Sequence, residues 1–143
     1  MKPMSPTKEM LLRQCNAICK NTLMETLDIE FVDLTDDSLT ARMPVTSKVH
    51  QPDGILHGGA SIALAESVGS AGAMVLLKRD DVSIRGIEIA ANHVKGVREG
   101  YVYAKAAILH KGRTTQLWQV RIVNEADELV SLVKFTTITL PKT

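Results

Sequence analysis

Residues 58–77 read GGASIALAESVGSAGAMVLL, a run of Gly, Ala, Ser and aliphatic side chains broken by a single charge, Glu66. A helix of this composition has no polar face to turn towards water, so other parts of the chain have to enclose it. Length alone would admit a membrane span. Its alanines, serines and glycines make the run only weakly hydrophobic, however, and a carboxylate stands near its middle. Both features suit a helix buried inside a protein, not one in lipid. Glu66 is also a functional marker, because a carboxylate in apolar surroundings is costly unless a specific role requires it.

The remainder of the chain supplies the enclosure. From residue 83 apolar and polar side chains alternate, with strands expected over 83–97, 100–110, 115–124 and 128–140. Their links are Arg98-Glu99-Gly100, Lys111-Gly112-Arg113 and Glu125-Ala126-Asp127. Links this short predict an antiparallel meander, since parallel strands need long crossovers. Upstream, residues 29–34 and 39–43 alternate about Asp36-Asp37-Ser38 and read as a hairpin ended by Pro44. Residues 45–59 form a loop that turns at Pro52-Asp53-Gly54, and the long helix runs over 59–78 to a solvated end at Asp80-Asp81. Residues 1–26 are a helical lead-in: Pro3 and Pro6 keep its start irregular, and Thr22-x-x-Glu25 matches a capping box. Residues 1–143 thus read as a single α+β domain, a long helix wrapped by an antiparallel sheet.

Composition removes several functions. The formal net charge of +1 gives no general attraction to nucleic acid or to a membrane surface, and 3% aromatic residues leave no base-stacking platform. Cys15 and Cys19, at i,i+4, read as two reduced thiols on one helix face, in keeping with a cytoplasmic protein. No apolar signal segment is read at the N-terminus.

The chemistry gathers around the start of the helix. Gly58 and Gly59 would let a ligand approach backbone N–H groups that have no partner within the helix. With the positive end of the helix dipole, those groups can hold a developing oxyanion. Ser70 lies at i+4 from Glu66 on the same face and can orient a water. His93, taken alone on an alternating strand, reads as structural. His50 and His110 have no assigned role, and Trp118 reads as a packing residue. The spacing of His57, Glu66 and His93 fits no standard zinc pattern.

Gln51-x-x-Gly54-x-x-His57-Gly58-Gly59, followed by Leu64-Ala65-Glu66 and Gly69-Ser70, resembles the active-site segment of hotdog-fold acyl-CoA thioesterases. The likeness is to the branch that hydrolyses aryl-CoA thioesters with a glutamate on the central helix. Gly86-Ile-Glu88-Ile-Ala-Ala-Asn92-His93-Val-Lys95, then Arg98-Glu99-Gly100, Leu109-His110-Lys-Gly112-Arg113 and Gln116-Leu-Trp118 are similar to the same branch. The resemblance runs from about residue 27 to 140. It implies the hotdog fold, a long central helix wrapped by a curved antiparallel sheet. It also implies homodimers paired edge to edge, their assembly into homotetramers as dimers of dimers, and an active site at the dimer interface.

By the same resemblance, Glu66 is the nucleophile or general base and the Gly58 N–H polarises the thioester carbonyl. Gln51 and His57 bind and orient the thioester, Ser70 places the attacking water, and His93 binds an aromatic acyl group. Gly59 and Asp53 flank the substrate, while Lys95, Arg98, Gly112 and Arg113 are candidates for the nucleotide and phosphates of CoA. Asp53 departs from the branch, which carries Phe there, and this bears on the acyl group preferred. The expected reaction is hydrolysis of acyl-CoA, with aryl-CoA such as 1,4-dihydroxy-2-naphthoyl-CoA favoured. No metal or cofactor is implied, CoA being part of the substrate. Two alternatives are proofreading of acyl groups on an acyl carrier protein and non-catalytic binding of acyl-CoA.

Overall fold

The structure, a computed structural model, describes residues 3–143. The lead-in folds as helix α1 (Lys8–Ala17), where the Thr7 hydroxyl accepts the Met10 N–H at 3.2 Å, and a single turn α2 (Leu23–Thr26). The expected capping box forms only in part. Thr22 makes no side-chain cap and instead donates to the Cys19 carbonyl at 2.5 Å. The Glu25 carboxylate reaches back to the Asn21 N–H, one residue earlier than the motif requires. The reason is local: Asn21 takes a left-handed φ of 62°, which turns its own N–H towards Glu25.

Hairpin β1 (Glu30–Leu34) and β2 (Ser38–Pro44) follows as expected, then a 3-10 turn (Ser47–Val49) within the loop, then helix α3 (Gly58–Leu76). Strands β3 (Val82–His93), β4 (Tyr101–Lys111), β5 (Thr115–Val123) and β6 (Leu129–Pro141) complete the chain. All pairings are antiparallel, in the order β1-β2-β4-β5-β6-β3. The meander therefore covers only β4 to β6. β3 does not pair with β4; it lies at the far edge, against β6. Crossing the intervening strands takes about 14 Å at ordinary strand spacing, within reach of the link over residues 94–100. A short connection indicated opposite strand directions correctly but not adjacency.

Alternation decides what faces inward. Leu39, Ala41 and Met43 on β2, Val102, Ala104 and Ala106 on β4, Trp118, Val120 and Ile122 on β5, and Val133 and Phe135 on β6 are buried. Register shifts in β1, β3, β4 and near the end of β5 bend the strands. As a result α3 touches β2, β3, β4, β5 and β6. At Gly69 and Gly72 the helix faces the rings of Phe135 and Trp118, each 3.5 Å from where a Cβ would stand. α3 is long and apolar enough to cross a membrane by length and composition alone. Here its Leu64, Ala65, Val68, Gly69, Gly72 and Ala73 are buried.

The helix is nevertheless not enclosed on every side. Gly59, Ile62, Ala63, Glu66, Ser67, Ser70 and Met74 line a groove between α3 and the N-terminal segment. Glu66 and Met74 are exposed there. The lone charge of the helix thus avoids the desolvation expected of it in this single chain, because it lies on the stripe that the sheet does not cover.

Candidate active site

Two clefts flank the N-terminal half of α3. The first, about 370 Å³, is lined by Gln51, Gly58, Ser61, His93, Lys95 and Ser131, with Ile55, Leu56, Val94, Gly96 and Val130. The loop that shapes it is tied closely, by Gln51 N–H to the Ile55 carbonyl at 2.8 Å and Leu56 N–H to the Val97 carbonyl at 2.8 Å. His57 caps α3: its Nδ1 accepts the Gly59 N–H at 2.8 Å. A neutral His57 ring then carries its proton on Nε2, as a donor. The same bond occupies the Gly59 amide, so in this chain Gly59 cannot offer a free N–H. Gly58 can, since among the described residues its N–H has no partner.

His93 is more than a strand residue. Its Nδ1 is 2.7 Å from the hydroxyl of Ser131, which is fully buried, and its Nε2 closes on Gly58. A Cβ on Gly58 would stand 2.8 Å from that nitrogen, so only glycine lets the imidazole lie against the helix start. Gln51, Gly58, His93 and Lys95 therefore meet in one cleft.

The second cleft, about 450 Å³, holds Glu66 and Ser70. Ile18, Leu23, Met24, Phe31, Ile62 and Met74 make its walls largely apolar. Gly59 lines this cleft as well. In one chain, then, Glu66 and the Gln51–Gly58–His93 group open onto different sides of the same helix.

Asp53, Arg98, Gly112 and Arg113 line neither of these clefts, and Lys95 reaches from the rim of the first to the surface. Asp53 is exposed on the loop: its N–H donates to the Gln51 side chain, and its carbonyl accepts from Arg98 Nη1 at 3.2 Å. Its carboxylate does not line an acyl pocket in this chain. The adjoining Gly54 has φ +78°, a left-handed conformation that suits glycine. His50, given no role from sequence, donates from Nε2 to the Arg98 carbonyl at 2.9 Å and so joins the two loops. Lys95 pairs with Glu128 at 3.3 Å on the surface, and together with Asn124 it holds the Glu128 carboxyl below its ordinary range, the hydrogen bond from Asn124 being the larger cause. Gly112 and Arg113 lie at the opposite end of α3, where the Arg113 carbonyl accepts from Arg79 Nη1 at 3.0 Å. A 19-residue helix puts roughly 28 Å between the two ends. Among the described residues no three His, Cys, Asp or Glu side chains are grouped so as to hold a metal.

Sequence reasoning missed Ser131 as the partner of His93, and nothing in its local pattern marks it. Gly86 was also missed as a neighbour of Glu66. Its signal was present, because an isolated glycine within a strand marks a bulge or a close approach.

A six-stranded antiparallel sheet curled about one long helix, with a glycine-rich helix start and a lone carboxylate further along, is the architecture of the hotdog enzymes. Residues 53–131 match the thioesterase superfamily. The 1,4-dihydroxy-2-naphthoyl-CoA hydrolase of Escherichia coli is 41% identical over 133 residues, covering 93% of this chain and 97% of that protein. The proofreading thioesterase EntH of Cronobacter turicensis is 46% identical over 118 residues, 82% of this chain and 85% of that one. A crystal structure of a mutant of the thioesterase PA1618 from Pseudomonas aeruginosa superposes with a TM-score of 0.90 at 39% identity, over 97% of each chain. The chain belongs to the thioesterase superfamily and is a thioester hydrolase with the hotdog fold.

Proposed function

We propose that this enzyme hydrolyses acyl-CoA thioesters, aryl-CoA in particular, at a site completed by a second copy of the chain. The observation that carries the reading is the division of α3: an unpartnered Gly58 N–H opens on one cleft and Glu66 on the other. The two lie about 12 Å apart along the axis and about 80° around it, whereas reacting atoms must come within roughly 3–3.5 Å. Two copies related by a twofold axis across the β3 edges would let the glycine cleft of one face the carboxylate of the other. That edge is suited to pairing, being 12 residues long with Ile87 exposed.

In this arrangement the thioester carbonyl oxygen accepts the Gly58 N–H of one copy, and Gln51 and His93 of that copy hold the acyl end. Glu66 of the other copy removes a proton from water as the oxygen attacks the carbonyl carbon, with Ser70 orienting that water. The tetrahedral adduct then expels the CoA thiolate, which takes up the proton, leaving the free acid and CoA. A thiolate leaves readily, so a positioned base and an oxyanion donor suffice. Lys95 and Arg98 suit the CoA phosphates, and Gly112 and Arg113 can serve them only from the second copy. The E. coli hydrolase supports an aryl substrate through its name, and a CoA substrate fits a cytoplasmic enzyme. The EntH relative favours a second reading, proofreading of acyl groups on a carrier protein, which a matched pair of aryl-CoA and aryl-carrier thioesters would distinguish.

The test is hydrolysis of benzoyl-, naphthoyl- and long-chain fatty acyl-CoA by the native protein and Glu66→Ala. Native turnover should be highest with the aryl-CoAs, and the variant should lose about 10²–10⁴-fold in kcat. Native activity in the variant would remove Glu66 from the mechanism. Turnover of fatty acyl-CoA alone would remove the aryl preference.

A further inference from the structure

Behind the Glu66 carboxylate lies Gly86 of β3. A Cβ at this glycine would stand 2.9 Å from Glu66 Oε1, 2.7 Å from Phe135 Cζ and 3.0 Å from Phe135 Cε1. The backbone gives no reason for glycine here, because Gly86 is not among the residues with positive φ. What the position requires is the absence of a side chain. The register of β3 on β6 shifts between Gly86 and Glu88, which bends the strand next to the helix. The Phe135 ring is fully buried, and its other side packs against Gly69 of α3, where a Cβ would lie 3.5 Å from the ring. The ring is held between β3 and the helix, whereas Glu66, on the uncovered stripe of α3, is free to move outward.

We propose that Gly86 is a positioning residue for the catalytic carboxylate: its bare α-carbon forms the seat of Glu66 Oε1, with the Phe135 ring as the wall beside it. The inference rests on the reading of Glu66 as the base or nucleophile. A methyl group at this position pushes the carboxylate off the strand and away from the point where water or the carbonyl carbon must be met. Substrate contacts through Gln51, Gly58 and His93 lie on the other cleft and stay as they are. The effect thus falls on kcat and spares KM.

The experiment compares Gly86→Ala, Glu66→Asp and the double variant, with kcat and KM measured on the preferred acyl-CoA. Displacing the carboxylate by about 1 Å should lower kcat of Gly86→Ala by about 100-fold, with KM within about twofold of native. Glu66→Asp withdraws the carboxylate by one methylene, so the added methyl no longer meets it. The double variant should therefore be no slower than the slower single variant. Losses that multiply, or a folded Gly86→Ala with native kcat, would overturn the proposal. Should Gly86→Ala fail to fold, Gly86→Ala/Phe135→Leu frees the ring side and is compared with Phe135→Leu alone; equal kcat values would again overturn it. Glu66→Ala separates the two levels. If it is inactive while Gly86→Ala is native, only the seat is wrong, and if it is fully active the reading of Glu66 falls and the seat with it.

Discussion

Thr137 on β6 joins the core to the turn at the far end of the helix. Its hydroxyl accepts the Trp118 indole N–H at 3.0 Å and donates to Gln116 Oε1 at 2.8 Å. The Gln116 amide then donates to the Gly112 carbonyl at 3.2 Å. Thr137 and Trp118 are 0% exposed and Gln116 is 1% exposed, so no water can replace a lost partner. Thr137→Val keeps the shape and removes the hydroxyl, stranding one buried donor and one buried acceptor. Each stranded group costs about 1–3 kcal/mol, for a total of about 2–6 kcal/mol. The methyl that takes the hydroxyl's place returns about 1 kcal/mol, leaving a net loss of roughly 1–5 kcal/mol. Thr137→Ser keeps both bonds and gives up only a methyl, about 1 kcal/mol.

Urea denaturation at one fixed protein concentration, followed by far-UV circular dichroism, gives the order native, Thr137→Ser, Thr137→Val. Fixing the concentration matters because self-association would itself shift the midpoint. Amide exchange adds a local readout: freeing the Gln116 side chain should raise exchange at Gly112, whose N–H bonds the Thr115 carbonyl at 2.9 Å. A Thr137→Val protein as stable as the native one, with native exchange at Gly112, would refute the argument that this buried chain is fully satisfied and costly to break.

Asn16 holds α1 to the edge of the sheet, donating to the Phe31 carbonyl at 3.1 Å and accepting the Phe31 N–H at 2.7 Å. Asn16→Ala should cost about 1–3 kcal/mol and speed exchange of the Phe31 amide in hydrogen-exchange mass spectrometry. Burial pushes the thiols of Cys15 and Cys19 up, with Cys19 adding a smaller push on Cys15. The folded state therefore keeps these protons to higher pH than the unfolded chain. Their contribution is complete below the unfolded thiol pKa and is lost as pH rises through the folded one, so the native urea midpoint should fall more than that of Cys15→Ala/Cys19→Ala from about pH 8 upward. Mixing inactive Glu66→Ala with inactive Gln51→Ala should restore about a quarter of native activity, since about half of random dimers are hybrids and each hybrid holds one intact site. No recovery after subunit exchange, checked by native mass spectrometry, would place both residues in the same chain's site.

The elements were legible where periodicity reports directly on burial. The strand alternation of Leu39–Ala41–Met43 and Trp118–Val120–Ile122 survives intact in the buried face. Periodicity is silent on which strand lies beside which, and that is why β3 was placed next to β4 when it sits across the sheet. The site shows the same boundary. Gly58, His57 and Glu66 were legible because their residue types are improbable in a plain helix start or an apolar helix. The partners that fix them were not. Ser131, which meets His93, and Phe135, which walls Gly86, arrive from β6, more than thirty residues downstream of His93 and Gly86.

Glu66 shows what a composition argument can and cannot carry. An apolar helix with one charge was expected to be surrounded, and the charge to be desolvated. Instead the sheet buries a stripe of small residues, Ala65, Gly69, Gly72 and Ala73, and leaves the stripe of Ile62, Glu66, Ser70 and Met74 uncovered. Both stripes consist largely of residues that a sequence reads as interior, so their difference appears only when the sheet is in place. An apolar stripe with one carboxylate, left open beside a long unpaired strand edge, is the face that a second hotdog chain would complete. In the proposed two-copy site a second chain completes the open stripe, while the proposed seat of Glu66 on Gly86 is formed within the single chain.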